Sequence, residues 1–224
     1  MQETGFAAGE HASAGVLAGG SGSPDAVAAV IAAAVVLPVI RTLGADEALE
    51  IAVWAAGAGV PAVELTATTP DWRGALAELR RRSPDTVAGM GTLRTAEEAR
   101  VACDLGAAFL VSPVPAPEVA AVAAERGVLM IGGGFTPAEL IGAARDGMAK
   151  LFPAHAVGPR YLRSVLTVAP PGTRVIPTGG ISLDDVEAWL AAGAVAVGIG
   201  SELKPTPEAA ERLRALRAAA AAAA

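Results

Sequence analysis

Apolar and polar positions along the chain fall into a repeating unit. Short runs rich in Val, Ile and Leu, at 35–40, 62–66, 86–89, 108–111, 128–131, 148–152, 174–177 and 194–199, alternate with longer alanine-rich stretches. The short runs are apolar at consecutive positions, which is the pattern of strands buried on both faces in a parallel sheet covered by helices. The longer stretches, at 46–58, 72–82, 95–105, 117–126, 137–146, 158–166, 183–192 and 207–224, have helical spacing. Helix starts are marked by Thr136-Pro137, a cap residue before a proline at the first turn, and by Ser182 ahead of Asp184 and Asp185. Gly59, Gly106, Gly127, Gly147 and Gly193 stand where helices should stop. Eight strand–helix units predict one domain over 24–224, an α/β protein of the (β/α)8 TIM-barrel type. No GxGxxG follows the first strand to support an open dinucleotide-binding sheet. Residues 1–23, rich in Gly, Ala and Ser and without period, read as a flexible N-terminal extension.

Composition narrows the class. The 224 residues carry 17 basic and 23 acidic side chains, a net charge of −6, with no basic block. That balance argues against nucleic acid or an anionic membrane surface as partner. The 26 glycines and 16 prolines are above average but short of the disordered range. The longest apolar run, 26–40, is interrupted by Pro38 and falls short of the roughly 20 residues of a bilayer span. No basic residue precedes Arg41, so the charged start of a secretory signal is missing, and a cytoplasmic location is expected. The single cysteine, Cys103, reads as a buried helix thiol, and no His/Asp/Glu spacing suggests a metal site.

In a barrel, chemistry belongs at the C-terminal strand ends, so the polar residues there matter most. Only two of the basic residues are lysine, Lys150 and Lys204. Lys150 lies inside an apolar strand, whereas Lys204 lies in a proline-rich loop and reads as solvated. Arginine stays protonated, while a desolvated lysine can give up its proton and act as a nucleophile toward a ketone. The other reading of Lys150 is a strand-edge amine reaching to solvent. Glu64 sits in the apolar segment 61–65, where an unpaired carboxylate would be costly. It is either a structural acid paired with an arginine or a general acid/base tuned by burial and by the Lys150 amine. The turns Gly179-Gly180 and Gly200-Ser201, on consecutive strands, offer backbone amides and a hydroxyl to an anion such as phosphate. His11, in the N-terminal tail, reads as unimportant, and His155, near the mouth and within reach of a ligand, reads as a solvated loop histidine. Trp54, Trp72 and Trp189 read as packing, and Arg80-Arg81-Arg82 as a helix C-terminal cluster.

The ordered strand ends resemble the 2-keto-3-deoxy-6-phosphogluconate (KDPG) and 4-hydroxy-2-oxoglutarate (KHG) aldolase family over about 35–207. The motifs are LPVIR (37–41), VELTATTP (63–70), GMGT (89–92), LVSP (110–113), FTPAEL (135–140), KLFPA (150–154), VGP (157–159), PTGG (177–180) and GIGS (198–201). The resemblance implies a class I aldolase without metal or other cofactor, usually a homotrimer, acting on a phosphorylated 2-keto-3-deoxy sugar acid. It assigns Lys150 to the Schiff base and Glu64 to acid/base work, with Arg41 and Thr92 on the pyruvate carboxylate. Phe152, Pro113 and Thr178 fall on the substrate, and Gly179, Gly180, Gly200 and Ser201 on the phosphate. The implied reaction is reversible cleavage of KDPG to pyruvate and glyceraldehyde 3-phosphate. The alternatives are the KHG or 2-keto-3-deoxy-6-phosphogalactonate (KDPGal) reaction or, from another class, a phosphosugar-binding barrel without aldolase activity. Three positions depart from the family pattern: Thr68 replaces an arginine, Gly132-Gly133 a Pro-Gly, and His155 a glutamate. By the same resemblance, Thr178 favours the gluconate epimer.

Overall fold

The computed structural model describes residues 22–223. The order of elements is α1 (Pro24–Ala34), β1 (Val36–Ile40), α2 (Ala45–Gly57), β2 (Ala62–Thr66), α3 (Trp72–Arg82), β3 (Val87–Gly91), α4 (Ala96–Asp104), β4 (Phe109–Val111), α5 (Pro117–Arg126) and β5 (Leu129–Gly134). It continues with α6 (Pro137–Arg145), β6 (Gly147–Leu151), α7 (Pro159–Val168), β7 (Val175–Pro177), α8 (Val186–Ala191), β8 (Val197–Ile199) and α9 (Pro207–Ala223). The strands pair in parallel in the order β7-β6-β5-β4-β3-β2-β1-β8. A parallel bridge between Thr178 and Gly198, with Val195 N–H donating to the Val175 carbonyl, nearly closes the seam between β7 and β8. This is the expected (β/α)8 barrel.

Burial on both strand faces explains the unbroken apolar runs. Val36, Val63, Ala88, Leu110, Met130, Ala149, Val175 and Val197 belong to the core shared with the surrounding helices. Their neighbours Leu37, Ala62, Val87, Phe109, Leu129, Met148, Ile176 and Ala196 form a second cluster filling the barrel's interior. The two sets alternate along each strand as the pleat requires.

The sequence pattern did not draw α1, which joins the interior cluster. Its Val27, Ala28 and Ile31 are buried among those residues, so the helix plugs the N-terminal end of the barrel. Its signal is local: the Ser23 hydroxyl accepts from Ala26 N–H at 3.3 Å and Pro24 opens the first turn. Val35, expected to begin β1, instead ends α1 at φ 66°. The extension expected over 1–23, and His11 within it, lies outside the described residues up to position 21.

Other boundaries moved for steric reasons. Strands β3 and β5 continue through Gly91 and Gly134, beyond the expected ends at 89 and 131. A Cβ at Gly134 would collide with Glu139 of α6, so this glycine admits the helix to the sheet. Phe152 lies just beyond β6. The segment 183–192 splits into a 3-10 turn, Leu183–Asp185, and the short α8. Both expected caps formed: Thr136 and Glu139 make a reciprocal capping box on α6, and Ser182 and Asp185 make another before α8. Among the described residues, no helix is long and apolar enough to cross a membrane.

Candidate active site

Strands β2 and β6 face each other across the barrel, and each sends one ionisable side chain inward. Lys150 Nζ donates to Glu64 Oε1 at 3.0 Å and to Oε2 at 3.2 Å. Glu64 is 0% exposed and Lys150 4%. The structure therefore rejects both simpler readings: the amine does not reach out to solvent, and the carboxylate's cationic partner is Lys150, not an arginine. The pair sits above the apolar interior, on the C-terminal half of its strands, where register places Glu64 beside Val39 and Gly89, and Lys150 beside Gly133 and Ile176.

Glycines make room for it. A Cβ at Gly91 would overlap the Glu64 carboxylate, and one at Gly89 would overlap the Phe109 ring that fills the barrel below. A Cβ at Gly133 would strike the Pro113–Val114 backbone, so the second glycine of Gly132-Gly133 admits the β4 loop close to β5. Pro113 is held there, half-buried, by its backbone.

Arg41, at the end of β1, donates from Nη2 to Thr92 Oγ1 at 3.1 Å, so the two groups expected on a carboxylate meet. Thr92 adopts φ 59°, a left-handed conformation costly for a β-branched residue. Beside them lies a hydroxyl cluster that the sequence reading passed over. Thr66 Oγ1 donates to the Ile40 carbonyl at 3.1 Å and lies 3.2 Å from Thr68 Oγ1 and 3.4 Å from Thr69 Oγ1. Thr69 Oγ1 also accepts from Thr42 N–H at 3.3 Å. The only signal in the sequence was the density of threonine after Glu64.

On the far side, the 3-10 turn Ala154–Ala156 is tied to the β7 loop, with Ala154 N–H donating to Thr178 O at 2.9 Å and His155 N–H to Gly179 O at 3.1 Å. Gly179 and Gly180 have φ 101° and 64°, and side chains there would also crowd Phe152 and His155. Phe152 is partly exposed at the mouth, and His155 Nδ1 lies 3.4 Å from Gly179 O. Thr178 is buried, with its hydroxyl over Gly198 and 3.5 Å from Ile176 O. Gly200 and Ser201 line a cleft of about 540 Å³ with Arg41, Glu47, Trp54 and Lys204, between α2 and the loop before α9. Arg41 lines that cleft, whereas Lys150 and Glu64 do not.

Residues read as structural behave so. Trp72 and Trp189 are buried, and Lys204 is exposed. Cys103, expected to be buried, is only half-buried on α4, and this burial still pushes its thiol up from its ordinary value, against thiolate chemistry. Arg81 and Arg82 clasp Glu78 at 2.5 and 2.6 Å and hold its carboxyl at about 2.

A buried amine paired with one carboxylate in a (β/α)8 barrel now meets its relatives. A family model described as KDPG and KHG aldolase matches residues 27–215. The 2-dehydro-3-deoxy-phosphogluconate aldolase of Treponema pallidum (strain Nichols) is 32% identical over 172 residues, 76% of this chain and 82% of its own. The 2-dehydro-3-deoxy-6-phosphogalactonate aldolase of Escherichia coli (strain K12) is 29% identical over 179 residues, 79% and 87% of the two chains. The structure of KDPG aldolase from Legionella pneumophila, with pyruvate captured at low pH as a covalent carbinolamine intermediate, superposes with a TM-score of 0.73 and 30% identity. It covers 86% of this chain and 96% of the other. The protein is an aldolase-type lyase built on a (β/α)8 barrel. More particularly, it belongs to the KDPG and KHG aldolase family.

Proposed function

We propose that the protein cleaves 2-keto-3-deoxy-6-phosphogluconate reversibly to pyruvate and glyceraldehyde 3-phosphate, through a Schiff base on Lys150. The observation carrying this reading is the Lys150–Glu64 contact across the barrel. Passing one proton over those 3.0 Å leaves a neutral amine and a carboxylic acid, the two partners that imine formation needs. The Lys150 amine adds to the C2 ketone. Glu64, working through water, moves protons while the carbinolamine loses water and becomes a protonated imine. Glu64, again a carboxylate, then takes the C4 hydroxyl proton. The C3–C4 electron pair moves into the imine as an enamine, and the aldehyde leaves. Reprotonation at C3 and hydrolysis release pyruvate and free the lysine. The Legionella relative holds pyruvate as a carbinolamine, and the same addition here falls on Lys150.

Arg41 and Thr92 take the carboxylate at one side of the mouth. Gly179, Gly180, Gly200 and Ser201 take the phosphate, and Phe152, Pro113 and Thr178 line the chain between. By resemblance to the family, Thr178 favours the gluconate epimer over the galactonate. Borohydride reduction in the presence of pyruvate should attach a three-carbon adduct to Lys150, mapped by peptide mass. No adduct, or an adduct unchanged in Lys150→Ala, overturns the reading and favours a phosphosugar-binding barrel.

Unphosphorylated 4-hydroxy-2-oxoglutarate is the second reading, supported by the family's joint description. A phosphate-binding Ser201 predicts that Ser201→Ala lowers kcat/KM selectively for the phosphorylated substrate. Equal losses on both favour the unphosphorylated one. We read the protein as a cytoplasmic homotrimer; exposed apolar side chains on the rim of the mouth, Leu43, Val114 and Phe135, support the self-association.

A further inference from the structure

Arg41 reaches Thr92 from the first position after β1, and its own side chain is exposed. A long flexible cation in that setting loses affinity to conformational freedom unless its backbone is fixed. Both of its neighbours are fixed, and by hydroxyls of a single turn. The residue before it, Ile40, offers its carbonyl to Thr66 Oγ1 at 3.1 Å. The residue after it, Thr42, donates its N–H to Thr69 Oγ1 at 3.3 Å.

The bond directions form a consistent chain. The Thr66 proton goes to Ile40 O, the Thr69 proton to Thr66 Oγ1, and Thr69 Oγ1 accepts from Thr42 N–H. Thr66 and Thr69 are 0% and 2% exposed, so water does not compete for these bonds. The register between β1 and β2 ends at the Ile40–Leu65 pair, and the hydroxyls carry the coupling two residues further. The same turn is tied to β3, with Ala67 N–H donating to the Gly91 carbonyl at 2.8 Å. Gly91 immediately precedes Thr92. One turn thus sets the backbone on both sides of Arg41 and the backbone leading into its partner.

We propose that Thr66 and Thr69 are positioning residues that aim Arg41, with Thr92, at the substrate carboxylate. This rests on the Schiff-base reading above, and its test separates the two. The probe is pyruvate, and the readout is the pyruvate concentration giving half-maximal borohydride trapping, alongside the amount trapped at saturation. Thr69→Val should raise the half-saturating concentration about tenfold, the order expected when the two buried hydrogen bonds of its hydroxyl are lost, and leave trapping at saturation intact. Thr69→Ser should restore it, and Thr66→Val should act in the same direction. In an Arg41→Ala background, Thr69→Val should add no further shift, because the group it aims is gone. An unchanged half-saturation in Thr69→Val or in Arg41→Ala, or an equal shift with and without Arg41, overturns the clamp. Absence of any Lys150 adduct in the unaltered protein overturns the Schiff-base reading instead. Should Thr69→Val fail to fold, Thr66→Val in both backgrounds gives the same comparison.

Discussion

The Lys150–Glu64 pair is costly to bury and is held by two hydrogen bonds. Removing one member leaves the other charge stranded, which in comparable pairs destabilises by about 3–5 kcal/mol, whereas replacing both with apolar residues of similar volume is often neutral. Lys150→Ala should therefore lower the urea midpoint markedly, and Lys150→Met with Glu64→Leu should recover much of it while remaining inactive. Equal stability of Lys150→Ala and the unaltered protein would show that the pair is not buried as described. Gly91→Ala makes a subtler test. The added methyl overlaps the Glu64 carboxylate, so the carboxylate must move, and kcat should fall by about 10²-fold or more, as expected when acid/base geometry is lost. Far-UV circular dichroism should stay unchanged. These residues differ in how legible they were. Lys150 stood out in a chain of arginines, and Glu64 in an apolar run. Gly91, Thr66 and Thr69 did not, because the need for a glycine or a hydroxyl depends on what packs across from it. That partner comes from strands far away in the chain.

At the level of elements, the strand–helix alternation was readable because each strand is apolar on both faces. The plug helix α1 was not readable from the same pattern. Its apolar residues run directly into β1, with only Val35 between them, and no polar loop marks the change. What identifies it is the interior it fills. Ile31 is fully buried against residues of the barrel interior, so Ile31→Ala should cost about 2–5 kcal/mol by denaturant titration. It lies at the end opposite Lys150, so the KM for substrate should hold. The cap of α6 carries a pH signature. Glu139 accepts from Thr136 N–H, Phe135 N–H and the Thr136 hydroxyl, and these bonds hold its carboxyl below the ordinary value of 4.5. A folded-state value below the unfolded one stabilises the fold above pH 4.5, and that contribution is lost as pH falls through the folded value. Glu139→Gln should remove this part of the acid dependence. The melting temperatures of the two proteins should differ at neutral pH and converge in acid, and parallel curves would contradict the assignment.

For the whole molecule, the exposed apolar residues of the mouth have a geometric consequence. Leu43, 95% exposed, follows β1, while Val114 and Phe135 follow β4 and β5 on another sector of the barrel. Phe135 is braced there by Tyr161, whose hydroxyl donates to the Phe135 carbonyl at 2.6 Å while the two rings stack at 6.0 Å. Two different apolar patches on one chain suit a heterologous contact, in which the patch of one protomer meets the other patch of the next, and such contacts form a ring when the rotation between protomers closes. A trimer closed this way should have three times the 22.2 kDa mass of one chain by light scattering. Leu43→Asp and Val114→Asp each spoil one patch and keep the other, so each alone should give monomers. Mixed together they retain one matched pair of patches and should form a dimer that cannot close. A trimer that survives both substitutions would place the interface elsewhere. A mixture that stays monomeric would mean that Leu43 and Val114 do not meet across one contact.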